Sequence, residues 1–179
     1  MRPDSRAFVN WLKDQGYAVE LLSGDRADVV AQVARELGID TYRADIRPDG
    51  KVGRLAELEA QGRKVLMIGD GLNDAPSLAA AFVSASPASG ADISQTAADF
   101  VFQSDLLEPL GIAIMVARRS RRMVTANFGL AAGYNALAVP LAIAGYVTPL
   151  IAAVAMSTSS ILVTLNALRL ARMKFRCLR

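Results

Sequence analysis

Along the first two-thirds of the chain, apolar positions fall into two alternating patterns. Short apolar runs at Ala18 to Leu22 (AVELL), Lys64 to Ile68 (KVLMI), Phe82 to Ser86 (FVSAS) and Asp99 to Gln103 (DFVFQ) read as strands. Between them, Arg26 to Gly38 and Lys51 to Gly62 space their apolar residues at three and four and stop at a glycine, as amphipathic helices do. A short Ala-rich helix starts at Pro76, and Leu106 to Thr125 reads as a longer one. Repeated strand–helix units predict an α/β fold, a partial Rossmann-like parallel sheet with helices on its faces. Ligands of such sheets sit at the carboxyl ends of the strands. No internal repeat or low-complexity segment interrupts the pattern.

After Arg122 the pattern changes. Met123 to Leu168 contains no charged residue, and a bilayer-spanning helix needs about 20 apolar residues. The segment therefore predicts two transmembrane helices, about 123–145 and 148–168, joined at GYVTP (Gly145 to Pro149). Two helices of a soluble core would carry charges on an outer face. This half raises the hydrophobic content of the 179 residues to 53% and the mean hydropathy to +0.29. Charge divides the same way: residues 1–117 hold 11 basic and 17 acidic side chains, residues 118–179 hold 9 basic and none acidic. Two domains are expected, a polar one over 1–117 and a linker helix, hairpin and basic tail over 118–179. Arg118, Arg119, Arg121 and Arg122 precede the first span, and Arg169, Arg172, Lys174, Arg176 and Arg179 follow the second. Basic flanks favour the cytoplasmic side, so the expectation is a multi-pass protein of the inner membrane, in contact with lipid, with both termini inside. The opening MRPDSRAF shows no cleavable signal peptide. One cysteine, Cys177, excludes a disulfide within the chain. The absence of histidine excludes a histidine base, a Ser/His/Asp triad and any histidine-ligated metal. With the basic residues flanking spans and aromatics at 6%, nucleic-acid binding is not expected.

Candidate chemistry gathers at the strand ends. Asp70 follows the KVLMI strand directly and Asp74 comes four residues later, a pair suited to Mg²⁺, which takes oxygen ligands and substrate phosphates. Gly69 and Gly71 let backbone approach an anion, and Asn73 can donate an amide proton to phosphate oxygen. In Ser23-Gly24-Asp25, Ser23 offers a hydroxyl and Gly24 a bare N–H. Lys51, in RPDGK, supplies positive charge for the same group. Taken alone, Ser23-Gly24-Asp25 reads as a turn and Lys51 as a solvated helix residue. Their order at successive strand ends is what points to phosphoryl chemistry. There is no GxxxxGK[ST], so the site is not a P-loop.

SGD, RPDGK and GDGLNDAP in this order resemble the second half of the phosphorylation domain of P-type ATPases, a branch of the haloacid-dehalogenase-like superfamily. The resemblance implies that Asp70 coordinates Mg²⁺ with Asp74 in support, and that Ser23, Lys51 and Asn73 contact the phosphoryl group. Ser23 stands where most pumps have threonine. GYNALAVP (Gly133 to Pro140), MSTSS (Met156 to Ser160) and NALRL (Asn166 to Leu170) are similar to signatures of the copper-transporting pumps, and the serine of SGD is similar to the branch serving cytochrome-oxidase assembly. This implies ATP as energy source, Cu⁺ as transported ion, and Tyr134, Asn135, Met156 and Ser160 as its ligands. The residues by themselves leave two readings open. Met156 and Ser160 share a helix face and a thioether suits Cu⁺, yet polar residues in membrane helices are commonly interhelical glue. Pro140 is expected to kink the first span.

A P-type ATPase phosphorylates the aspartate of a DKTGT motif, and no Asp-Lys pair occurs here. The nucleotide-binding domain, the TGE motif and the CPC cysteines are also absent. The expectation is a part of a heavy-metal, most simply Cu⁺, exporting ATPase, inactive alone and completed by the N-terminal portion of a pump or by an intact one. The alternatives are a membrane-anchored phosphatase of the same superfamily and a non-catalytic membrane partner of a pump.

Overall fold

The computed structural model describes residues 1–171 and Cys177, with side chains through Leu168 and at Cys177. The basic residues Arg172, Lys174, Arg176 and Arg179 lie outside the described residues. The chain divides into two compact units, residues 1–111 and 112–177.

The first unit opens with helix α1 (Ser5–Asp14) and continues β1 (Glu20–Leu22), α2 (Ala27–Leu37), β2 (Thr41–Arg43), α3 (Pro48–Ala60) and β3 (Leu66–Ile68). A 3₁₀ turn (Leu72–Asp74) then leads into α4 (Ala75–Ala80), β4 (Val83–Pro87), α5 (Asp92–Ala97) and β5 (Phe100–Phe102). Every strand pairing is parallel, as the strand–helix alternation requires. The strands form two sheets: among the described residues β1 pairs with β2 alone, and β4 lies between β3 and β5. β4 is central and covered on both faces, which explains its small side chains: Ser84, Ala85, Ser86 and Pro87 are all buried. Asp99 satisfies Ser84 there, accepting from its N–H at 2.9 Å and its hydroxyl at 3.0 Å.

Under the two-stranded sheet, Val9, Ala34 and Ile39 form a core patch joined by Val19, Leu21 and Leu37. Proline at the first position of α3, after an extended Arg47, starts that helix where its missing N–H costs nothing. Arg54 of α3 reaches Glu20 at the start of β1, at 3.0 Å, and Glu57 at 2.8 Å. The hydrogen bonds from Glu20 and then Glu57 push the Arg54 guanidinium above its already high ordinary pKa.

The second unit is a helical hairpin. Helix α6 (Glu108–Ile143) begins in the first unit and runs unbroken for 36 residues, about 54 Å at 1.5 Å per residue. It passes Pro140 and is followed by Gly145 at φ 79° and then by α7 (Pro149–Ala171). Both helices are long and apolar enough to cross a membrane.

Partly buried positions recur at three and four along each helix and define the seam. They are Met123, Asn127, Ala131, Tyr134 and Ala138 on α6, and Ala152, Ala155, Ser159, Val163 and Asn166 on α7. Small residues on both helices let the backbones approach, and Asn166 donates to Asn127 Oδ1 across the seam at 2.7 Å. Off the seam, Thr125, Ser157, Thr158 and Thr164 return their hydroxyl protons to carbonyls four residues back. Apolar surroundings demand that internal satisfaction.

Candidate functional site

β1 ends just before Ser23 and β3 just before Gly69-Asp70, because each apolar run gives way there to small and polar residues. A cleft of about 400 Å³ separates the two strands. Leu21, Leu22 and Ser23 line one side, Ile68, Gly69 and Asp70 the other, and Lys51 and Asp74 close it. The edges of β1 and β3 that border the cleft have no strand partner among the described residues. Five of the residues singled out from the sequence, Ser23, Lys51, Gly69, Asp70 and Asp74, are therefore brought together at the carboxyl ends of two parallel strands.

Their roles differ from a simple ring of ligands. Lys51, on the first turn of α3, is buried and not a mobile surface charge; its ammonium donates to Asp74 Oδ1 at 2.6 Å. Asp74 Oδ2 accepts from the N–H of Gly71 at 3.3 Å. Both carboxylate oxygens of Asp74 are thus engaged, and the residue serves to orient Lys51 and close the loop. Gly69 makes this possible: a Cβ there would lie 2.7 Å from Cβ of Asp74. The Asp70 carboxylate has no hydrogen-bond partner among the described residues and borders the cleft. Ser23 donates to Asp25 Oδ2 at 2.8 Å while its Oγ accepts from the N–H of Asp25 at 3.2 Å. Gly24 leaves room for the carbonyl of Ile46, which a Cβ would approach to 3.3 Å. Asp25 and Asn73 are exposed and lie outside the cleft lining.

No group of three His, Cys, Asp or Glu able to hold a metal occurs among the described residues. That donor set still fits Mg²⁺, which is commonly held by one or two carboxylates with phosphate and water completing the shell. Asp70 has the free carboxylate for it, and Asp74 stands one turn behind.

Residues that sequence reasoning passed over also shape the site. Arg2 lines the cleft, with its guanidinium 5.7 Å from the Phe102 ring centroid and donating to the Ser104 carbonyl at 2.9 Å. Asp4 Oδ2 accepts the N–H groups of Leu107 and Glu108, at 2.7 and 3.0 Å, and so holds the start of α6. Their signal, a charged RPD at the chain start, was legible only as polarity.

In the hairpin, Tyr134 lies on the seam and lines a pocket of about 290 Å³ with Leu130, Ala155, Thr158, Ser159 and Leu162. Asn135, Met156 and Ser160 are exposed and do not line it. Each stands one residue beyond a seam position: Asn135 after Tyr134, Met156 after Ala155, Ser160 after Ser159. On two antiparallel helices, one step past the seam turns to the same side of the pair. Asn135, Met156 and Ser160 therefore share one lateral side of the hairpin, apart from the seam-facing Tyr134.

Comparison with known proteins gives this arrangement its relatives. Residues 1–81 match the haloacid dehalogenase-like hydrolase family. The chain is 53% identical over 169 residues to the nitrogen fixation protein FixI of Bradyrhizobium diazoefficiens, covering 94% of this chain and 23% of that protein. It is 41% identical over 170 residues to a copper-exporting P-type ATPase of Mycobacterium tuberculosis, covering 95% of this chain and 22% of the relative. A solved zinc-transporting PIB-type ATPase in its E2.Pi state superposes with a TM-score of 0.90 at 31% identity, over 96% of this chain and 28% of that one. The chain thus spans about a quarter of the length of the relatives it matches. Over nearly its whole length, from parallel α/β unit to apolar hairpin, the chain is thus similar to one part of heavy-metal P-type ATPases.

Proposed function

We propose that this chain supplies the Mg²⁺- and phosphate-handling loops and two membrane spans of an ATP-driven Cu⁺ exporter. In this reading it is a multi-pass protein of the inner membrane with both termini in the cytoplasm. The observation that carries the reading is the convergence of Ser23, Lys51, Asp70 and Asp74 on one cleft between two strands with bare facing edges. An extended segment laid in that cleft would pair with β1 and β3 together. A carboxylate just beyond its end would arrive among those four side chains. The partner that completes the site is therefore a strand bearing the phosphorylated aspartate, from the N-terminal portion of a pump.

With a phosphoryl group in place, Lys51, held in position by Asp74, neutralises charge on its oxygens, the Gly24 N–H donates to them, and the Ser23 hydroxyl does so once it turns its proton from Asp25. Gly69 and Gly71 leave room for the Asp74 side chain that holds Lys51 there. Mg²⁺, held by Asp70, would offset the charge of phosphate and carboxylate in the same place. Asn73 stands on the exposed rim, and Asp25 there orients the Ser23 hydroxyl. In the membrane, the side shared by Asn135, Met156 and Ser160 offers one soft thioether among harder donors, with Tyr134 on the adjoining seam. Cu⁺ prefers soft ligands, so this side contributes to an ion site that sulfur donors of another span complete.

The test uses the full chain in detergent with labelled ATP and Mg²⁺. Alone it is expected to gain no acid-stable phosphate. Supplied with a polypeptide carrying the DKTGT strand and the nucleotide-binding domain, it should support acid-stable phosphate on that polypeptide, lost on Asp70→Asn. No phosphate in the mixture would overturn the proposal. Turnover of a generic phosphate ester by the chain alone, abolished by Asp70→Asn, would instead establish the phosphatase reading.

A further inference from the structure

We infer that Ser94 is a positioning residue for Asp70, acting through the backbone of the Asp70-Gly71 loop. The inference rests on reading Asp70 as the Mg²⁺ ligand. With no hydrogen bond to the Asp70 carboxylate among the described residues, what the fold fixes is the backbone that bears it, and with that the point from which the carboxylate reaches. That backbone is gripped at two successive carbonyls. The N–H of Ala91 donates to the Asp70 carbonyl at 2.9 Å, and the Ser94 hydroxyl donates to the Gly71 carbonyl at 2.6 Å. Together the two bonds fix both peptide planes on the C-terminal side of Asp70.

The gripping segment is itself braced. Gln95 donates through Nε2 to the carbonyls of Ala88, at 3.1 Å, and Gly90, at 2.9 Å. A Cβ on Gly90 would stand 3.0 Å from the Asp70 carbonyl oxygen and 3.0 Å from Ser86 Oγ, so the close approach needs glycine. Ser94 has no exposed surface at all, and its hydroxyl has a single carbonyl to serve. The Ala91 contact is a backbone N–H that nearly any residue would supply. Ser94 contributes the one side-chain bond of the grip, and hence the part a substitution can remove. Its action differs from that of Asp74, which binds the same loop from the cleft side through the Gly71 N–H.

The experiment titrates the full chain in detergent with Mn²⁺ as an EPR-visible substitute for Mg²⁺, well below the unfolding temperature. Losing a group that orients a metal ligand commonly weakens metal binding about tenfold or more. Ser94→Ala is expected to weaken Mn²⁺ by about tenfold, and Asp70→Asn to abolish the bound signal. Ser84→Ala is the control: Ser84 is equally buried and hydrogen-bonded, but to Asp99, so it should lower the unfolding temperature and leave Mn²⁺ affinity unchanged. Should Ser94→Ala not fold, Ser94→Cys keeps the volume with a weaker donor, and a smaller weakening is expected. Mn²⁺ binding insensitive to Asp70→Asn would remove the reading on which the inference rests. Binding lost in Asp70→Asn but unchanged in the Ser94 variants would overturn the inference itself. An equal weakening in Ser84→Ala would do the same, by showing a general effect of stability.

Discussion

The ammonium of Lys51 lies 2.6 Å from Asp74, with the two side chains only 10% and 15% exposed. Two charges removed from water in this way hold the loop chiefly because neither can be left alone. Asp74→Ala is expected to destabilise the chain by about 3–5 kcal/mol, the usual result of stranding one buried charge. The double change Lys51→Met with Asp74→Leu should recover most of that loss; urea unfolding of the detergent-solubilised chain measures both. Gly69→Ala should act on the same pair, since its Cβ would drive Asp74 away, at a cost of about 1–3 kcal/mol. At this scale the sequence was readable where chemistry follows position. The carboxyl end of a strand is where ligands bind, and Ser23, Gly69 and Asp70 follow strands directly. Burial of Lys51 was not readable, because a lysine on the first turn of an exposed helix has the same pattern. Ser94 was beyond reach for a different reason: its partner is a backbone carbonyl 23 residues away, which no side-chain motif marks.

Between elements, long contacts do work that propensity cannot. Lys13 near the end of α1 bonds to Asp40, in the loop between α2 and β2, and ties helix to sheet. The hydrogen bond from Lys13, with its charge, holds the Asp40 carboxyl below the ordinary carboxylate range. A depressed acid pKa stabilises the fold above the unfolded-state value and loses that contribution as pH falls through the folded one. Asp40→Asn should therefore lower the thermal midpoint slightly near neutrality, and its difference from the parent chain should close in acid, as thermal scans across pH will show. In the hairpin, Asn127 and Asn166 make a cross-seam side-chain bond. Alanine at either position should cost about 1 kcal/mol of hairpin association, and alanine at both little more than at one. A double-mutant cycle in bilayers reads this directly. The strands β1, β3, β4 and β5 were visible as apolar runs. β2 was not: its Thr-Tyr-Arg is three exposed residues, too short and too polar to carry a period. Six-residue α5, Asp-Ile-Ser-Gln-Thr-Ala, was missed on the same ground. The division into two sheets could not be read at all, since pairing is a property of neighbours in space.

For the whole molecule, the charge asymmetry found in the sequence falls along its two units: an acidic α/β unit and a basic, acid-free hairpin. The single cysteine offers a direct test of orientation. If the basic flanks face the cytoplasm, Cys177 in intact cells should resist a membrane-impermeant maleimide and react once the membrane is opened. Labelling of intact cells would reverse the topology. The bare facing edges of β1 and β3 also bear on how the chain behaves in bulk. An unpaired strand edge is a template for any extended segment nearby, including one from another copy. Ile68, 37% exposed beside the cleft, makes that template adhesive. What reads in one molecule as a seat for a strand becomes, in a concentrated solution, a site of self-association. Light scattering should rise with concentration for the chain alone and fall when a short peptide fills the cleft, so that solubility reports on the docking of a partner before any phosphate has moved.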